Sequence, residues 1–274
     1  SALAFSGQFH GLGNQVQNLT ISGGNTYDNI GLFGYVYGAT IRNIGVTNAA
    51  LSQGTGRIIS GALAGFIANG TNVYQAYSTD TNNGNDYVGG LIGHSSNSTI
   101  RNSYSSVTVS GNYRVGGLVS LSSGSSVIDY SYATGNVTGY SSTGGLLGSG
   151  TGTITNSYAT GTVTDIDSSE GDIGGLVGLA ANLLIIKDSY ATGNISSAGW
   201  YIGGLVGSSN GGSVTDSYAT GDISAAGWNI GGLIGSSNGT SITGSHATGE
   251  VFSAGRYVGG LVGYFSIGSI SNSY

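Results

Sequence analysis

The chain repeats itself about every 28 residues. A leucine that follows Gly or Gly-Ala marks the phase: Leu32, Leu63, Leu91, Leu118, Leu146, Leu176, Leu205, Leu233 and Leu261 recur at intervals of 27 to 31 residues. A second element, Ile-x-x-Ser-Tyr-Ala-Thr-Gly, follows each leucine, as at Ile154 to Gly161, Ile186 to Gly193 and Val214 to Gly221. A third, short apolar element comes next, around Val137, Val163, Ile195, Ile223 and Val251. A period of this size means stacked units, each resting on its neighbours.

The unit is three runs of β-forming residues (Val, Ile, Tyr and Thr) separated by Gly, Ser and Asn. Glycine inside a helix costs roughly 1 kcal/mol against alanine, and 54 of the 274 residues are glycine, so a helical hairpin is excluded. A propeller blade needs about four strands in ~40–45 residues. Three runs in one unit fit one turn of a parallel β-helix. The expected fold is all-β: a right-handed parallel β-solenoid of nine to ten coils, with right-handedness following from the bias of parallel crossovers. Coils about 4.8 Å apart give a rod on the order of 45 Å long. Residues 1–30 read as a degenerate first coil (Phe9, Leu12, Val16, Leu19, Ile21) and residues 31–274 as one solenoid.

Side-chain direction follows from Ile41, Ile44 and Val46. All three face the core only if the chain bends near Asn43, and Asn accepts the left-handed backbone region better than most residues. Asn102, Asn156, Asn272, Asp188 and Asp216 fall at the same place, which predicts a corner row. The Ser and Ala of Ser-Tyr-Ala then point inward and the Tyr outward. Tyr77, Tyr104, Tyr132, Tyr158, Tyr190, Tyr218 and Tyr274 form an outer column, with His246 and Gly45 as substitutes.

Charged residues make up 7% of the chain and the formal charge is −6. With six Lys and Arg there is no footprint for a nucleic acid, nor for a membrane surface held by basic residues. No apolar run nears the ~18–20 residues that span a bilayer, so membrane insertion is not expected. Cys is absent, which removes disulfides and thiolate metal sites. The chain starts without Met, shows no signal peptide and stops halfway through a unit at Tyr274. It reads as a piece of a longer protein, continued end to end by further solenoid.

Gly174 to Gly178 with Ile186 to Gly193, and Gly203 to Gly207 with Val214 to Gly221, resemble the GLUG repeat. The opening Phe5 to Gly13, then Asn18 to Ile21, resembles the segment that precedes such repeats. Departures occur at Gly61 to Gly65 and at Leu183 to Ile186. The resemblance implies a secreted or bacterial cell-surface solenoid, as in filamentous-haemagglutinin-like adhesins exported by two-partner secretion and in some IgA-cleaving peptidases. In the peptidases the repeats are accessory. The function expected from it is a non-enzymatic adhesin segment, serving as stalk and as a binding surface for host or matrix glycan or protein. The alternative is an accessory scaffold of a large secreted peptidase.

Candidate site residues are few. Trp200, Trp228 and Arg256 occupy one position in three successive units, with Tyr201 and Tyr257 beside them, and Trp, Tyr and Arg are typical binding hot spots. Together with Tyr158, Tyr190 and Tyr218 they are the candidate binding surface; plain stacking of like neighbours is the alternative. Asp165, Asp167, Glu170 and Asp172 form the one acidic cluster. It lacks Ca²⁺-loop spacing, so a solvated loop is the first reading and a weak Ca²⁺ site the second. No catalytic residue is assigned: His10, His94 and His246 are scattered, and Asp188 and Asp216 are explained by the corner. A polysaccharide-active β-helix would need opposed carboxylates. The Thr134, Thr160, Thr192, Thr220 and Thr248 row raises ice binding, but shows one column rather than paired columns. Sequons at Asn18, Asn69, Asn97, Asn136, Asn194 and Asn238 leave glycosylation open.

Overall fold

Gly-Gly before most of the leucines and Asn or Asp before most of the Ser-Tyr pairs break the predicted runs, so one coil carries five short strands rather than three. A computed structural model describes residues 4–22, 28–52, 58–79, 81–166 and 171–274. In one coil the strands are Tyr201–Gly203, Val206–Asn210, Ser213–Thr215, Tyr218–Ala219 and Ile223–Ala225. Each pairs in parallel with its equivalent one coil on: Ile202 with Ile230, Val206 with Ile234, Val214 with Ile242, Tyr218 with His246 and Ile223 with Val251.

Two ladders contain nine strands each, from Asp28–Ile30 to Arg256–Gly259 and from Phe33–Tyr37 to Val262–Phe265. The fold is thus an all-β parallel solenoid of about nine coils, and no helix occurs among the described residues. Gln8–His10 and Gln15–Gln17 pair with the first full coil, and Phe9 and Val16 pack on its core.

The core is a stack of columns. Leu91, Leu118, Leu146, Leu176, Leu205 and Leu233 are fully buried, and Ile100, Ile128, Ile154, Ile186, Val214 and Ile242 face them. A second, smaller buried apolar cluster joins Ile173, Ile202 and Ile230 of one ladder with Val163, Ile195 and Ile223 of another. Gly145 shows why the bend before the leucine excludes a side chain. A Cβ there would lie 2.1 Å from the Gly175 carbonyl oxygen and 2.8 Å from the Ala159 Cβ.

The corner row lies where expected. Asn43, Asn102, Asn156, Asp188, Asp216 and Asn272 all have φ between 48° and 53°. Gln75 and Tyr130 take the same conformation in their coils, with φ of 51° and 46°. The bend removes the next residue's N–H from the backbone ladder, and a serine column replaces the missing acceptor. Ser131 N donates to Ser157 Oγ (3.1 Å), Ser157 N to Ser189 Oγ (3.2 Å), and Ser189 N to Ser217 Oγ (3.2 Å). Each hydroxyl donates in turn to the carbonyl two residues earlier, as Ser157 Oγ does to Thr155 O at 2.6 Å. Ser157→Ala leaves the buried Ser131 N–H without its acceptor and is expected to cost about 1–3 kcal/mol, read as a drop in the urea midpoint.

Candidate binding surface

The outward side chains are also columns. Tyr132 and Tyr158 have ring centroids 4.8 Å apart and 1° from parallel; Tyr158–Tyr190 and Tyr190–Tyr218 are each 4.9 Å and 3°. Tyr77, Tyr104, His246 and Tyr274 extend the column at spacings of 5.0 to 5.2 Å. Parallel rings this far apart touch at the ~3.5–4 Å of good carbon contacts only if they are slipped, which is a favoured aromatic arrangement. Each interior tyrosine therefore has both faces covered by its neighbours. It offers solvent an edge and a hydroxyl rather than a flat platform. The column ends over Gly45, where a Cβ would lie 2.2 Å from the Tyr77 ring.

The tryptophan column forms as expected. Trp200 and Trp228 stack at 5.3 Å and 12°, and the Arg256 guanidinium lies 5.5 Å from the Trp228 ring centroid on a cation–π approach. Trp228 keeps 44% of its surface exposed. Tyr201 is half-buried and pairs with Asp172 of the preceding coil, whereas Tyr257 is 60% exposed and meets Tyr264 edge-on at 6.0 Å.

Two residues extend this edge. Tyr113 is 61% exposed and stands three residues before Gly116, the offset that separates Trp200 from Gly203 and Trp228 from Gly231. Tyr140 is exposed one coil later, its N–H bonded to Asn112 O at 3.1 Å. Counting back from Gly-Gly would have found Tyr113; the Ala-Gly-Trp triplet hid it. The result is an aromatic edge in two stretches along one corner, Tyr113 and Tyr140 in adjacent coils, then, beyond a coil with Gly171 and Asp172 at this place, Trp200, Trp228, Arg256 and Tyr257.

The acidic candidates are held by serines. Asp165 Oδ2 accepts from Ser197 Oγ at 2.8 Å and Asp172 Oδ2 from Ser142 Oγ at 3.4 Å. Asp167 and Glu170 lie outside the described residues. No three His, Asp or Glu side chains converge as a metal site among the described residues. Asp188 and Asp216 sit at the left-handed corner, with Lys187 Nζ 3.7 Å from Asp188 Oδ2. At the same corner Asp129 binds Arg101 (2.9 Å), Thr155 (2.7 Å) and Asn156 (3.1 Å). Burial opposes its charge, but these hydrogen bonds and the guanidinium outweigh burial and hold its pKa below the ordinary carboxylate range.

The three histidines occupy three different columns. His10 accepts from Leu12 N at 3.0 Å, and His246 belongs to the tyrosine column. His94 lies in a crease between two ladders, beside a pocket of about 380 Å³ also lined by Asp28, Ile59, Phe66, Tyr87 and Leu121. It stacks on Phe66 at 4.5 Å, and its Nε2 is 2.9 Å from Ser123 Oγ. Burial, then the Arg114 charge, pushes its pKa down to about 4. An unfolded imidazole titrates near ~6.5. Between these values the unfolded chain takes the proton and the folded chain does not. The stability tied to neutral His94 is full above about pH 6.5 and is lost as the pH falls toward 4. Urea midpoints taken from pH 7 to pH 4 are expected to fall further for the parent chain than for His94→Phe.

The repeat geometry now has a family counterpart. The model of the GLUG motif matches residues 84–110, 111–138, 139–164 and 198–224. Four GLUG motifs lie along this chain. Each match covers the Gly-Gly-Leu bend, the Ser-Tyr pair and the short apolar strand of one coil. The GLUG matches pass over 165–197, which holds the acidic loop and the Leu183 to Ile186 departure. No curated protein matches the chain. Among solved structures it is similar to a putative immunoglobulin A1 protease from Bacteroides ovatus, with a TM-score of 0.58 and 24% identity. That likeness covers 68% of this chain and 61% of the other, less than two thirds of its length, and is a likeness of fold.

Proposed function

We propose that the chain is a non-enzymatic solenoid segment of a bacterial secreted or cell-surface adhesin, a stalk that also presents the aromatic edge to a host or matrix glycan or protein. The observation that carries this reading is the edge itself. Tyr113, Tyr140, Trp228, Tyr257 and Arg256 stand exposed along a single corner, with Trp200 half-buried among them, where burial would have been the default for side chains of their size. An exposed aromatic row of this kind marks an interaction surface. Inside the solenoid, by contrast, polar side chains are used to complete the backbone ladder.

A glycan and matrix-protein screen tests the proposal, comparing the parent chain with Tyr113→Ala and with the Trp200→Ala/Trp228→Ala double variant. Loss of a hot spot worth about 2 kcal/mol weakens binding more than tenfold. Equal binding by folded parent and variants would remove the edge from the account.

A second reading has specific support. The Bacteroides ovatus structure favours an accessory scaffold within a large secreted peptidase. In that setting the chain still carries no chemistry and its edge docks a neighbouring domain or the substrate protein. A zinc-protease motif in the same polypeptide would select this reading; a two-partner-secretion module would select the adhesin.

A further inference from the structure

We infer that the tyrosine column is a site of oxidative cross-linking, at which a peroxidase-type one-electron oxidant joins neighbouring coils through dityrosine bonds. The inference is independent of the adhesin reading. It rests on three observations.

Tyr77, Tyr104, Tyr132, Tyr158, Tyr190 and Tyr218 make five consecutive ring contacts at 4.8 to 5.1 Å, all within 7° of parallel. Every one of these residues is partly exposed, so a small oxidant or a relayed radical reaches it from solvent. The chain also has no Cys and no Met, the side chains that oxidants consume most readily, while it holds 18 Tyr and two Trp.

Each of two neighbouring phenols gives up one electron and its hydroxyl proton, leaving two phenoxyl radicals. Their unpaired electrons, shared onto the ring carbons beside the oxygens, pair to form one carbon–carbon bond. The two hydrogens on the joined carbons leave as protons, and the two oxygens take up protons to restore the phenols. The pair loses two hydrogens in total. One molecule of hydrogen peroxide accepts the two electrons and two protons and becomes two waters. Parallel translation puts equivalent ring carbons as far apart as the centroids, about 5 Å. The rings must tilt together about their side-chain bonds, and the parallel ladder holds the flanking backbones in register while they do. Each bond would close a loop of one coil and tie together units otherwise held by nearest-neighbour contacts.

His246 gives the column a defined limit, since it separates Tyr218 from Tyr274. The test treats the 274-residue chain, at low concentration, with hydrogen peroxide and a haem peroxidase. Products are read by dityrosine fluorescence, denaturing gel and peptide mass. The expected products are monomers lighter by two hydrogens per link, with Tyr132 joined to Tyr158, Tyr158 to Tyr190 and Tyr190 to Tyr218, and with no link between Tyr218 and Tyr274. Tyr158→Phe keeps the ring and the stack; it is expected to lose the first two links and keep the third. The inference is overturned by dityrosine confined to intermolecular dimers, by links scattered equally over exposed Tyr113 and Tyr257, or by equal yield from the urea-unfolded chain. Absence of dityrosine overturns it as well.

Discussion

Leu146→Ala is expected to cost about 3–5 kcal/mol, among the largest losses available to a single substitution in this chain. Leu146 is fully buried, between Leu118 one coil before and Leu176 one coil after, and its N–H donates to Leu176 O at 2.9 Å. Truncation removes its transfer energy and leaves a cavity in a column whose neighbours are fixed by their own ladders. Relaxation into the gap would require two coils to change spacing, and the ladder spacing forbids that. Chemical denaturation followed by far-ultraviolet circular dichroism measures the loss. Coils depend on their neighbours, so the loss is also expected to loosen the two halves of the rod from each other, seen as a broader transition.

Gly145→Ala adds a single methyl group and is expected to cost at least about 3 kcal/mol, more than the ~1–3 kcal/mol typical of an overpacked core. The new Cβ meets the Gly175 carbonyl oxygen at 2.1 Å, and backbone oxygen has no rotamer by which to withdraw. Gly117, Gly175, Gly204 and Gly232 face the same contact one coil away, each at 2.0 or 2.1 Å. Gly260 occupies the same repeat position, yet nothing lies within 4 Å of its Cβ in the 274-residue chain. Gly260→Ala is therefore expected to be neutral or to stabilise by a few tenths of a kcal/mol. Matched urea titrations of the two variants decide whether stacking, rather than local turn geometry, is what demands glycine. Similar losses in both would favour turn geometry.

The repeat phase, the leucine column and the outward tyrosines were legible because each recurs in one residue type. The left-handed corner was legible from Ile41, Ile44 and Val46, whose spacing has no solution on a straight strand. Its full membership was not: Gln75 and Tyr130 adopt the corner conformation although neither residue type announces it. There the neighbouring coils impose the backbone, and the side chain follows. The inward serines read as small fillers. Their hydrogen bonds became visible only with the ladder, because the partners of Ser157 lie 26 and 32 residues away. The His94 crease was hidden for a related reason. Tyr35, Phe66, His94 and Leu121 follow one another in a column of unlike residues, which a search for repeated letters passes over. The tryptophan column was read correctly as a column. What it and the tyrosine column present to a ligand was not readable, since ring faces turned on each other depend on coil spacing.

The in-register stacking of coils is tested most directly by paired cysteines in this cysteine-free chain. Thr215 and Thr243 are Cα partners on adjacent coils with outward side chains, while Ser241 lies opposite Ser213, two residues out of register with Thr215. A disulfide needs Cα atoms about 4.4–6.8 Å apart. Strand spacing of about 4.8 Å puts Thr215→Cys/Thr243→Cys within that range, and a two-residue offset at ~3.3 Å per residue puts Thr215→Cys/Ser241→Cys outside it. Mild oxidation of the folded chain is predicted to close the first pair within the monomer and leave the second as free thiols. Closure of the offset pair in preference to the matched pair, or of neither, would contradict the register on which every column described above depends.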